Sequence, residues 1–169
     1  MKPLILILLF LPSTLMASGK KTPPASVSFH MEAHAAEAPR FAREVKTLAG
    51  MKHFRKIPEV SSKDIVAFSP FPADDKQTYG LVFQLNTQAS RRLRTATNRH
   101  QGKHLLALVN GQAMGIVYID KPVTDGILVI WSGVKLENIK LYDKIAPRIG
   151  ENEKEWKKRL KENKKKDKK

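Results

Sequence analysis

The chain has 169 residues, 41% of them hydrophobic, with 31 Lys and Arg against 16 Asp and Glu for a formal charge of +15. That is one domain's length of chain, with apolar residues enough for a core and a field that draws polyanions. No Cys is present. Disulfides, thiol nucleophiles, Cys-based zinc sites and a lipid-anchored leader are thereby excluded.

Lys2 precedes an unbroken apolar run from Leu4 to Leu11, closed by Pro12 and followed by Ala17, Ser18 and Gly19. Charge, apolar stretch and small residues in that order predict a secretory signal peptide over residues 1–19. The run falls short of the roughly 20 apolar residues that cross a bilayer. No later stretch approaches that length, so no transmembrane segment is expected in the mature chain. A buried N-terminal helix is the competing reading, but such a helix would carry polar residues on one face. Export places the protein in the periplasm or outside the cell. Residues 20–26, small, polar and Pro-containing, read as a flexible leader.

A single domain is expected over residues 27–150. Val27, Phe29 and Met31 alternate with Ser28, His30 and Glu32, the period of a half-buried strand. Phe41 and Val45 around Arg43 predict a second strand, and Ala49-Gly50 a turn into a third over 52–57. Ile65, Val66, Ala67 and Phe68 form another short run. It is expected to stop at Pro70 and Pro72, since proline cannot donate to a ladder. Residues 71–78, with Asp74-Asp75, read as a loop.

The pattern sharpens from residue 79. Leu81, Phe83 and Leu85 mark a strand, and Asn86 stands at a helix N-cap. From Thr87 to Gln101 the period is helical. Ala89, Leu93, Ala96 and His100 share one narrow face, with Arg91, Arg94, Thr95 and Asn98 opposite. Gly102 ends the helix. His104 to Val109 follows, with Leu105, Leu106, Ala107 and Leu108 covering both faces in apolar groups, as a central strand would. Asn110-Gly111 is a hairpin turn into 112–119. Residues 120–126 make another turn. Ile127 to Trp131 is a strand broken by Ser132-Gly133, and Leu136, Ile139, Leu141 and Ile145 predict a last helix ending near Pro147 and Gly150.

The tail, residues 151–169, holds ten Lys and Arg against five Asp and Glu. Its large apolar groups are Trp156 and Leu160. With Lys157 and Lys158 they form a membrane-interface candidate for anionic lipid head groups. The tail from Glu151 reads as a helix with little to bury or, in the blander and favoured reading, as a solvated, disordered basic segment.

Residues 79–141 thus run strand, capped helix, Gly, central strand, Asn-Gly hairpin, two strands, Gly and helix. In this order Phe83-Gln84-Leu85, Ala89, Leu93, Gly102-Lys103-His104-Leu105, the run from Leu106 to Gly111, Ile130-Trp131-Ser132-Gly133 and Leu136-Glu137 resemble the head part of the first periplasmic domain of SecD. SecD is a subunit of the bacterial SecDF protein-export complex. Met114-Gly115-Ile116-Val117 departs from that pattern, standing where the family has a Pro-containing strand. The resemblance implies contact with polypeptide, without the proton-driven motor that needs membrane spans.

Catalytic motifs are missing. His30 and His34 lack a third ligand at metal-binding spacing, so no metal or other cofactor is expected. Asp74-Asp75, Asp120 and Asp125 read as turn residues, and no nucleophile elbow or phosphate loop occurs. His100 on the inner helix stripe reads as semi-buried rather than basic. What remains is a basic cluster, Arg91, Arg92, Arg94, Arg99 and Lys103, suited to carboxylates or phosphates; its plain alternative is a solvated outer face. Aromatic residues do not interleave with it, so single-stranded nucleic acid is poorly supported. The expectation is an α+β domain, an antiparallel-rich sheet covered by two helices. Its expected role is non-enzymatic binding of extended or acidic polypeptide.

Overall fold

Every strand-to-strand pairing among the described residues is antiparallel. The computed structural model describes residues 25–34, 37, 39–47 and 50–166, so the expected signal peptide and most of the leader lie outside them. Three sheets form. The first has four strands in the order β4 (Val60–Ser61), β1 (Val27–Met31), β7 (His104–Val109) and β8 (Gln112–Tyr118). The second is a hairpin of β2 (Ala42–Thr47) and β3 (Gly50–Arg55). The third runs β5 (Ile65–Pro72), β6 (Tyr79–Leu85), β9 (Ile127–Val134). Helices α1 (Thr87–Arg99), α2 (Leu136–Tyr142) and α3 (Glu153–Lys166) complete an α+β fold with three helices where two were expected.

The alternation read in the sequence decides the layers. Val27, Phe29 and Met31 of β1, with Leu105, Ala107 and Val109 of β7, face a core shared with Leu81 and Phe83 of β6 and with Ala89 and Leu93 of α1. Phe29 meets Phe83 edge-on at 6.0 Å between centroids, and Phe83 meets Tyr142 at 5.9 Å. Each such ring, fully withdrawn from water, contributes about 2–3 kcal/mol. The other face of β7 is covered as well. Leu106 and Leu108 pack under Phe54 of the β2–β3 hairpin, which is why residues 105–109 are apolar throughout. Ala25 and Ser26, expected within the flexible leader, already belong to the fold: Ala25 is buried, and the Ser26 carbonyl accepts from Asn110 N–H and the Tyr142 hydroxyl.

Four expectations need correction. β5 does not stop at Pro70 but continues to Pro72. It is an edge strand, paired on one side with β6. Phe68 turns its N–H and C=O outward to Pro147 and Ile149; two and four residues on, the outward positions are Pro70 and Pro72, which have no N–H to leave unpaired. Ser132-Gly133 does not break β9 either, since the strand runs to Val134 through a register shift, with Gly133 at φ 87°. The last helix of the body is shorter than expected, ending at Tyr142 and leaving 143–150 as turns. Residues 153–166 of the solvated tail are helical. Trp156 Nε1 donates to the Asp143 carbonyl at 2.7 Å, and Arg159 reaches Asp143 and Glu151.

Candidate functional site

Helix α1 owes its start to Asn86, whose Oδ1 accepts from Ala89 N–H at 2.8 Å, a cap worth about 1 kcal/mol. Its inner stripe is Ala89, Leu93 and Thr97, all buried. Thr97 is polar and was not singled out in the sequence. Its hydroxyl donates to Leu93 O and accepts from Val123 N–H at 3.0 Å, pinning the 120–126 connection to the helix. With that stripe facing the core, Arg91, Arg94 and Arg99 are left exposed.

Three of the five residues of the basic cluster border one groove. An open groove of about 440 Å³ separates α1 from the turn between β3 and β4. Arg91, Arg92 and Arg99 border it, with Thr95 and Ala96 between them, while Arg55 and Glu59 form the facing wall. Arg94 and Lys103 lie outside this lining. Two of the four bordering guanidiniums are held by the protein itself. Arg92 Nη2 stands 3.0 Å from Asp64 Oδ1. Arg55 is forked on Glu37, at 2.9 and 3.1 Å, and its Nη1 is 3.6 Å from Glu59. Arg91 and Arg99 make no ion pair among the described residues.

The acids around the groove are committed. Arg55 holds the Glu37 carboxyl down to about 2, helped by the His34 N–H. Burial alone would raise the Asp64 carboxyl, but the Ser61 N–H, the Arg92 guanidinium and the Ser61 hydroxyl together bring it below its usual range. His100, at the C-terminal end of α1, is lowered by burial first and then by Arg55 and Lys103. It adds no positive charge to the groove near neutral pH. His30, considered as a ligand, is instead buried between Arg55 O and Ser28 Oγ, each 2.8 Å away.

The sequence is matched by no protein-family model and by no curated protein. The chain is similar to a solved structure of SecDF, described as a membrane component that enhances protein export. The identity is 16% and the TM-score 0.49, over 69% of this chain and 59% of that one. It is also similar to SecDF in a super-membrane-facing form, at 15% identity and a TM-score of 0.48, over 73% of this chain and 18% of that one. The chain therefore spans less than two thirds of either structure. Likenesses this distant assign no role, and the α+β class rests on the protein's own sheets and helices.

Asp75, weighed as a paired carboxylate, is a turn residue: its Oδ1 accepts from Gln77 and Thr78 N–H. On α3, Trp156 and Leu160 are half-buried. Lys157 pairs with Glu153 at 2.6 Å, and Lys158 is exposed. No helix among the described residues is long and apolar enough to cross a membrane. Sequence reasoning missed Arg55, Glu59 and Asp64, because nothing in the local pattern of 52–64 announces that its turn will face α1.

Proposed function

We propose that the chain is a non-enzymatic, exported binding module, SecD-head-like over residues 79–141, that takes an acidic stretch of extended polypeptide into the groove beside α1. The observation that carries this reading is the division among the arginines. Arg55 and Arg92 are held by internal carboxylates, while Arg91 and Arg99 border the same groove with no ion pair among the described residues. Guanidiniums left unneutralised repel one another, and an acidic partner relieves that cost with forked hydrogen bonds. The carboxylates that hold Arg55 and Arg92, Glu37 and Asp64, are lowered, whereas a general acid or base works best with its pKa near the operating pH. No Phe, Tyr or Trp among the described residues lines the groove and His100 is its one ring, which favours carboxylates over stacked bases as its occupant. The outer edge of β5 is blocked by proline, so the reading rests on side chains rather than on strand addition there. A role beside protein export or envelope assembly belongs to the same proposal, supported by the sequence pattern of residues 79–141 and by the apolar run from Leu4 to Leu11.

Titration of a labelled Glu-rich peptide by fluorescence anisotropy tests this. The chain should bind it with an affinity that falls as salt rises from 50 to 200 mM. The double variant Arg91→Ser/Arg99→Ser should bind at least about fivefold more weakly, the loss of one or two partly exposed charge contacts. Equal binding by the two proteins would remove these residues from the site.

A further inference from the structure

The groove has a charge pattern along its length, and the pattern specifies its occupant further. Arg91 and Arg99 are eight residues apart on α1, a rise of about 12 Å at 1.5 Å per residue. The opposite wall presents Glu59, whose carbonyl lies 3.4 Å from Arg92 Nη2 and whose carboxylate lies 3.6 Å from Arg55 Nη1. The helix side of the groove thus offers two guanidiniums without an ion pair among the described residues, and the facing wall offers a carboxylate. A helix needs about 10–12 Å of width and an extended chain about 5 Å, so a single extended chain is the slimmer fit to a groove of this size. In an extended chain, residues i and i+4 project from the same side and stand about 13 Å apart.

We infer that the groove reads spacing: an extended segment with acidic side chains at i and i+4 and a non-acidic side chain at i+2. This rests on the acidic-polypeptide reading above and adds the register. The two acids fork onto Arg91 and Arg99. The i+2 side chain faces Glu59, where a third acid meets like charge.

Three nine-residue peptides of Glu and Ser make the test, one with acids at i and i+4, one at i and i+2, and one at i, i+2 and i+4. The first should bind about three- to fivefold more tightly than the second, the difference between two contacts and one. It should also bind more tightly than the third despite carrying less charge. In the variant Glu59→Gln the third should overtake the first, because the repulsion at the middle position is gone. Affinities that follow total charge alone, with the third peptide tightest on the unaltered chain, overturn the spacing rule and leave the acidic-polypeptide reading standing. Failure of all three to bind overturns both.

Discussion

Arg92 and Asp64 close on each other at 3.0 Å, joining α1 to the turn that leads into β5. Asp64 is nearly buried and also accepts from the N–H and hydroxyl of Ser61. Arg92 is thereby a structural arginine, one position from Arg91, which has no such partner. Arg92→Ala should destabilise the protein by about 1 kcal/mol, since it leaves a desolvated carboxylate short of a donor, moderated by the partial exposure of the guanidinium. Arg91→Ala should change stability by less than about 0.5 kcal/mol. Urea midpoints of the two variants check this directly.

Glu151 gives stability a pH dependence. Arg159 holds its carboxyl down to about 2, well below the usual glutamate value of about 4.5. A carboxyl lowered on folding contributes stability that is fully present above 4.5 and is lost as pH falls toward 2. Melting temperature should therefore decline through that window. Glu151→Gln should melt lower than the unaltered chain at pH 7, and the two curves should converge near pH 2. Parallel curves down to pH 2 would mean that the Glu151–Arg159 pair contributes nothing to folding.

Much of the fold was legible because local signals and tertiary packing agree. Asn86, the 3.6-residue stripe and Gly102 placed α1. Asn110-Gly111 placed its hairpin, and both residues do take positive φ, 49° and 80°. The doubly apolar run 105–109 announced a central strand before the hairpin over its second face was known. What escaped depends on partners distant in sequence. Pro70 and Pro72 are compatible with a strand only because that strand is an edge. Helix α3 persists with few apolar groups because Asp143 and Glu151 supply acceptors to Trp156 and Arg159. The basic cluster was visible as a composition. Its division into held and unpaired arginines was not, because Asp64, Glu37 and Glu59 decide it from outside the helix.

Thr97 is a clear case of a polar group in the core stripe. Thr97→Val keeps shape and branching but leaves Val123 N–H without its acceptor, 3.0 Å away in the native protein. A cost of about 1–3 kcal/mol is expected, with Thr97→Ser recovering most of it. Amide exchange at Val123 provides a site-specific readout: it should accelerate in the Val variant and stay near its native rate in the Ser variant.

Gly80 and Phe71 are bound by close approach. A Cβ on Gly80 would lie 2.1 Å from Phe71 Cζ, so the ring must move for any larger residue. Phe71 also packs edge-on against Trp131, with centroids 6.0 Å apart. Gly80→Ala should cost about 1–3 kcal/mol and change the fluorescence of exposed Trp131. In a Phe71→Ala background the same substitution should cost little, a non-additivity that a double-mutant cycle measures.

The most direct test of the binding account is to map where an acidic peptide lands. In amide chemical-shift titrations of the isotope-labelled chain, the account expects perturbations concentrated at Arg91, Thr95 and Arg99 on α1 and at Arg55 and Glu59 across the groove, with Arg94 and α3 unmoved. Shifts centred on α3 or on the face around Trp131, with the α1 groove silent, would contradict it.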